Sequence, residues 1–304
     1  IRLINTIYVE NEIKDHLRTL SILSKFKRSR IIYIHKYSEI FNKKKQSFRL
    51  QKKDPLLILA KKNNNFVLKA PEGFGIGASK NYYFSHMYNC IYDCSYCFLQ
   101  GMYSSANFVL FVNYEDFVLE IKKLISKKEN ITFFSGYDCD SLALENITGF
   151  ASYILPIFKE YSNCILELRT KSNQIKPLDN IEPIKNCVIA FSLMPDKISL
   201  ALDKKAPTIK RRIATIKTLS ALGWKIGLRF DPLIFGDSWK DQYQDLHENI
   251  FNVINISSIH SISYGPLRFP IAMYKKINNM YQNEKLFVVP FEQNQSEVSY
   301  KKVI

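Results

Sequence analysis

Three cysteines in the run N-C-I-Y-D-C-S-Y-C-F-L-Q, Cys90, Cys94 and Cys97, are the residues of this chain best suited to chemistry. Their spacing is C-x3-C-x2-C, with Tyr96 just before the last cysteine. Three thiolates on one short loop can hold three irons of a [4Fe-4S] cluster and leave the fourth without a protein ligand. Such an open corner is what a cluster needs to bind S-adenosylmethionine (SAM) and split it reductively. Zinc also takes thiolates, but structural zinc sites usually add a second close pair, C-x2-C or H-x3-H. No such pair occurs in the sequence, and Cys139, Cys164 and Cys187 are scattered singly.

The elements that must position this loop follow from the rest of the chain. Its 304 residues, 46% of them hydrophobic, suit one large domain, or one with a smaller companion. No apolar run approaches the roughly 20 residues of a membrane span. The opening I-R-L-I-N-T-I is soon followed by charges and shows no secretory leader pattern. The lack of a membrane-length apolar run implies no membrane association, and six cysteines without framework spacing, three of them in the one loop, imply a reducing cytoplasm. A formal charge of +15 favours a polyanionic partner, nucleic acid first. Richness in Lys, Asn and Ile is an equally good compositional reason for that charge.

Residues 1–69 read as a small α/β module. Thr6–Val9, Ile31–Ile34 (a short buried-type strand) and Pro55–Ala60 are its strand signals, and residues 11–26 have helical spacing. The glycine-rich run Pro71–Lys80 matches neither a phosphate loop nor a dinucleotide fingerprint and reads as part of a connector, 70–81. From residue 82 the pattern alternates regularly. Strand-like runs at 82–88, 131–135, 164–169, 187–193, 225–230 and 259–264 are separated by helical patterns. The helix over 114–128 has Asn113 as its expected cap. The helix over 207–222 has Pro207 in its first turn and stops at Gly223. Six βα repeats imply parallel strands with right-handed crossovers, a partial (βα)6 barrel over 82–275, and a C-terminal extension over 276–304. Chemistry in such folds sits at the C-terminal ends of the strands, and the cysteine loop directly follows the first of them.

Further runs narrow the reading. C-S-Y-C-F-L-Q (94–100), V-N-Y-E-D-F (112–117), D-S-L-A-L-E (140–145), L-R-T-K-S (168–172) and I-A-F-S-L (189–193) resemble the spore photoproduct lyase family of the radical SAM superfamily. So do the run from Arg211 to Pro232, Trp239, and Y-G-P-L-R-F-P (264–270). The likeness spans most of 82–275, and the N-terminal module is placed as in that family. It implies a partial barrel of radical SAM type and repair, without light, of a thymine dimer formed in DNA by ultraviolet light. The cofactors implied are a [4Fe-4S] cluster and SAM, and the partners are ultraviolet-damaged DNA and an electron donor such as flavodoxin or ferredoxin. The implied reaction uses a 5′-deoxyadenosyl radical to take a hydrogen atom from the dimer, then returns one to the product radical.

Carried over by residue, the likeness makes Cys90, Cys94 and Cys97 the cluster ligands and sets Tyr96 against the adenine of SAM. Lys171 and Ser192 match positions that bind the polar parts of SAM. Arg229 and Arg268, in matching runs near strand ends, are expected to face phosphate, while Arg211 and Arg212 read as solvated. The chain departs from the family at its hydrogen relay. The family's donor cysteine falls on Tyr137, Cys139 falls on a SAM-contacting serine, and the relay tyrosine is Phe98. Two residues apart in an extended segment point the same way, so either Cys139 or Tyr137 is placed to serve the substrate radical. Two alternatives stay open. One is a radical SAM enzyme on another substrate, a modified nucleotide, RNA or a peptide; the other is a nucleic-acid-binding module with a structural metal. The family's DNA-contacting C-terminal hairpin has no clear match in 281–304.

Overall fold

The computed structural model describes residues 4–127, 129–288, 291–294 and 297–300. The chain forms two compact units that interleave along the sequence: 1–90, 104–169 and 174–188 make the first, and 91–103, 170–173 and 189–304 the second.

The first unit holds a five-stranded sheet in the order Arg30–Ile34, Thr6–Glu10, Leu57–Ala60, Phe108–Phe111, Met87–Tyr88. Its first four strands run parallel and the last antiparallel. Leu57–Ala60 is buried on both faces, as a continuous apolar run in a parallel sheet requires. Arg30–Ile34 is instead an edge strand. Ile31 and Tyr33 are exposed and only Ile34 is buried, which corrects the buried-type reading of that run. The helical stretch after Glu10 also divides. A 3-10 turn at Asn11–Ile13 precedes a helix at Leu17–Ser24, capped by the His16 ring, which accepts from the Arg18 N–H. Ile13 and Ile22 are buried, while Leu17 and Leu20 face solvent.

A second run of strands in this unit begins with Leu68–Lys69, antiparallel to Lys80–Phe84. It continues in parallel through Ile131–Ser135 to Cys164–Thr170. The glycine-rich stretch is turns alone up to Lys80, as expected of a connector. The helix Tyr114–Ile125 buries Phe117, Val118, Ile121 and Ile125. Asn113 takes its N-cap position as expected, but without a side-chain capping bond. Its side chain instead accepts from the Lys62 N–H and donates to the Lys62 carbonyl and to Asp116.

In the second unit Lys225–Leu233 pairs in parallel with Ile259–Pro266. The helix Ile209–Leu222 is capped by Thr208 and ends at Gly223, whose φ is +97°. Pro207 stands just ahead of that cap rather than in the helix. A two-stranded ribbon joins Asp93–Cys94 to Asp203–Lys204. Near the C-terminus Arg268–Pro270, Glu297–Tyr300 and Phe291–Gln293 form an antiparallel sheet, a strand pairing that sequence reasoning did not detect in 281–304. The fold is thus mixed α/β. The strand runs expected from 82 onward pair in parallel with one another where they meet within a unit, except that the run 82–88 divides and its end, Met87–Tyr88, pairs antiparallel with Phe108–Phe111.

Candidate active site

Each unit contributes its own set of predicted residues. In the first, Cys90 follows Asn89, a buried residue in the left-handed region at φ +66°, a conformation that asparagine tolerates better than most. The Asn89 amide donates to the carbonyls of Ser105 and Asn107, both at 2.8 Å. Buried Lys52 donates from Nζ to the Cys90 carbonyl at 2.6 Å. The backbone is therefore held on both sides of the point where the cysteine loop departs. Neither Asn89 nor Lys52 carries a motif that sequence reasoning detects.

The strand Ile131–Ser135 runs into Gly136, Tyr137, Asp138 and Cys139. Gly136 takes φ +78°, and a Cβ there would meet Ser141 Oγ at 2.5 Å. The Cys139 N–H donates to the Gly136 carbonyl, so the segment is a turn. It is not extended, and Tyr137 and Cys139 have different surroundings. The Tyr137 ring lies against that of Tyr83. Cys139 is buried, and its thiol is pushed well up by burial first, then by the nearby Cys90, Asp138 and Asp140. It keeps its hydrogen. Asp140 is used structurally, accepting from the Leu142 and Ala143 N–H groups.

In the second unit the ligand loop is strapped to a neighbouring segment. Cys94 pairs with Asp203 across the ribbon, and the Ser95 N–H donates to the Leu202 carbonyl at 2.9 Å. The Cys97 N–H closes a turn on the Cys94 carbonyl, and Gln100 donates to that same carbonyl and to Asp93. Buried Tyr96 donates its hydroxyl to the Asp203 carboxylate. Asp203 forms a 2.7 Å ion pair with Arg212, whose side chain is fully buried. That burial corrects the reading of Arg212 as solvated: the start of its helix faces inward at this position.

Lys171 lies with Nζ 5.4 Å from the centre of the Tyr96 ring, a cation–π contact. Burial works to lower its ammonium, but Cys94 and Asp203, with a smaller push from Cys97, raise it overall. Asp203 is held below the usual carboxylate range: burial opposes this, and Lys171 and Arg212 overcome it. Ser192 ends the strand Cys187–Ser192, is buried, and offers its carbonyl to Arg212 at 3.0 Å. Lys171, Tyr96 and the sulfurs of Cys94 and Cys97 thus form one charged neighbourhood, joined through Asp203 and Arg212 to Ser192. Sequence reasoning missed Asp203 and Arg212, because a lone aspartate and a helix-opening arginine look like surface.

The two arginines expected to face phosphate differ. Arg268 is exposed on its short strand. Arg229 is fully buried inside Lys225–Leu233 and donates to the Ser261 carbonyl and hydroxyl at 3.1 and 2.9 Å. Its charge is engaged within the sheet rather than presented at a strand end.

The donor set fits an iron–sulfur cluster in its chemistry. All six cysteines are thiols rather than disulfides, and a lysine that stays charged stands near two of the three motif sulfurs. Among the described residues no group of three His, Cys, Asp or Glu side chains is gathered closely enough to hold a metal ion. The ligand assignment therefore stays with the motif's spacing and thiol chemistry.

Comparison with known proteins gives the class and then the family. The fold matches solved lyase structures. A spore photoproduct lyase double mutant with bound AdoMet and dinucleoside spore photoproduct superposes at a TM-score of 0.84 with 16% identity, covering 98% of this chain and 90% of that one. A spore photoproduct lyase complexed with dinucleoside spore photoproduct gives 0.82 at 15% identity, with the same coverage. No curated protein is matched. The family model for spore photoproduct lyase matches residues 6–301, and this chain belongs to the spore photoproduct lyase family. It is accordingly a radical SAM enzyme of the lyase type, and the family's reaction is repair of a thymine dimer.

Proposed function

We propose that this chain opens the methylene-bridged thymine dimer of ultraviolet-damaged DNA, with Cys90, Cys94 and Cys97 holding a [4Fe-4S] cluster and Tyr96, Cys139, Lys171 and Ser192 around SAM. When bound, the cluster and SAM supply a 5′-deoxyadenosyl radical, on receipt of an electron from a flavodoxin- or ferredoxin-type carrier. The strands that follow residue 80 act as a partial (βα)6 barrel. The residues' own work is orientation and hydrogen return. Lys171 gives a cation for the carboxylate of SAM, and the Tyr96 ring gives a flat face for its adenine. Cys139 holds a hydrogen at Sγ. The S–H bond breaks as a C–H bond forms on the product radical, and the unpaired electron moves to sulfur. Arg268 contacts phosphate, which adds affinity without sequence readout. The dimer must leave the base stack to reach these groups.

The observation that carries this reading is the buried Cys139 thiol in the turn after Ile131–Ser135, a hydrogen store within electrostatic reach of Cys90. It replaces the thiol that the family keeps at the position of Tyr137. The test is anaerobic. Protein reconstituted with iron and sulfide is incubated with SAM, dithionite and DNA irradiated in the dry state, and nucleosides are analysed. 5′-Deoxyadenosine with loss of spore photoproduct and return of thymidine is the expected result. A pale protein that binds zinc and leaves SAM intact would refute it.

One observation favours a second reading, a radical SAM enzyme on another substrate. Both relay positions, Tyr137 and Phe98, differ from the family. The same assay separates the two, because SAM cleavage without loss of spore photoproduct supports the second.

A further inference from the structure

We propose that Asp203 is a positioning residue for SAM: with Arg212 behind it, its carboxylate holds the Tyr96 hydroxyl and so fixes the ring that meets the cofactor's adenine. The proposal rests on the placement of Tyr96 against SAM given above. A buried phenol needs an acceptor, and Tyr96 finds one in Asp203. That acceptor is itself immobilised. The Ser199 hydroxyl donates to it at 3.2 Å, and Arg212 pairs with it at 2.7 Å with side-chain exposures of 1% for Asp203 and 0% for Arg212. Arg212 is anchored in turn by donating to the Pro207 carbonyl at 2.9 Å and the Ser192 carbonyl at 3.0 Å.

The same aspartate grips the ligand loop twice. Its backbone pairs with Cys94, and its side chain takes the hydroxyl two residues further on. Tyr96 is therefore tied to a rigid segment by main chain and side chain together, and through Arg212 to the end of the strand that carries Ser192. A buried ion pair is weak evidence for a role in stability, since well-packed apolar replacements are often neutral or stabilising. A pair this deeply buried, aimed at a motif tyrosine, points to orientation as its use.

The test separates orientation from folding. SAM binding is measured by equilibrium dialysis on reconstituted protein, with iron content and Tm in parallel. The Asp203→Leu, Arg212→Met variant removes both charges together. It is expected to keep its iron and Tm but to bind SAM about tenfold more weakly, equivalent to about 1.4 kcal/mol. The Asp203→Asn, Arg212→Met variant still offers Tyr96 an amide oxygen, and its Kd is expected to return to within about threefold of the parent, a difference of under about 0.7 kcal/mol. Tyr96→Phe is expected to weaken binding by the same factor as the Leu–Met pair, with no further loss when the changes are combined.

Parent-like SAM binding in either the Leu–Met variant or Tyr96→Phe overturns the proposal. Should the Leu–Met variant fail to fold, Tyr96→Phe decides alone. Parent protein that binds SAM while both variants bind equally well removes only the role of Asp203. Parent protein that binds no SAM removes the functional reading as well.

Discussion

The ring of Tyr137 stands 4.3 Å from the ring of Tyr83, tilted by 30°. That pairing packs a phenol on a phenol at the position to which the resemblance assigns the family's donor thiol. An offset aromatic pair contributes about 0.5–1.5 kcal/mol beyond its buried area. Tyr137→Phe keeps the ring and loses only the hydroxyl. We expect an unchanged Tm and a repair rate within about threefold of the parent, a change in barrier below about 0.7 kcal/mol. Tyr137→Ala is expected to lower the Tm. A loss of repair in Tyr137→Phe alone would assign the hydrogen relay to Tyr137 instead of Cys139.

Cys139→Ala tests the complementary half. The cluster should load normally, since Cys139 is not a proposed ligand, while repair slows by at least about tenfold, or about 1.4 kcal/mol of barrier. The readout specific to hydrogen donation is isotopic. Thiol hydrogen exchanges with solvent, so repair in heavy water should put deuterium into the restored thymine, and the variant should lose that label. Equal labelling in parent and variant would reduce Cys139 to a packing residue. Cys97→Ala is the control for the metal site and should take up little iron.

His86 provides a pH prediction independent of the cofactors. Its ring is buried, stacked 3.9 Å from Phe150 at an interplanar angle of 3°, and burial depresses its pKa to about 3. The unfolded chain binds a proton below pH ~6.5, and the folded chain does not until near pH 3. Stability is therefore full above pH 6.5 and falls as pH drops from 6.5 toward 3. The slope approaches about 1.4 kcal/mol per pH unit from this group. Urea unfolding of the iron-free protein should show a loss of about 2 kcal/mol between pH 6.5 and 5. His86→Phe should remove most of that slope. An unaltered slope would mean that other groups govern acid sensitivity.

Binding to irradiated DNA should weaken steeply with salt, because each phosphate neutralised releases counterions, at a logarithmic slope of about −0.9 per contact on duplex DNA. Arg268→Gln should reduce that slope by about one and weaken binding similarly on all sequences. Arg229→Gln should act on stability instead, since it leaves the Ser261 acceptors without their buried donor. A flat salt response would remove nucleic acid from the partners.

What was legible in the sequence divides along physical lines. Cys90, Cys94 and Cys97 stand out because ligand spacing is local. The strands at 131–135 and 164–170 stand out because apolar runs of fixed length are local too. Arg30–Ile34 misled because its apolar residues lie on an edge, and nothing in five residues tells an edge from a centre. The helix pattern over 11–26 misled because His16 caps a new start within it. Asp203 and Arg212 were invisible because their importance is a pairing between residues nine apart that also reaches Tyr96, more than a hundred positions away. Arg229 was misjudged because a strand position gives no information about how deeply a long polar side chain is buried.

Asn89 ties the chain's departure toward the cysteines to its return at Ser105 and Asn107. Closing so short a span costs little entropy once its mouth is fastened, and the fastening needs no metal. The ends of the cysteine loop are thus held by protein groups alone, a reserve of order on which the proposed ligand set can draw. Cooperative melting of the demetallated chain, with the Asn89 amide hydrogens slow to exchange, is the behaviour expected of such a reserve.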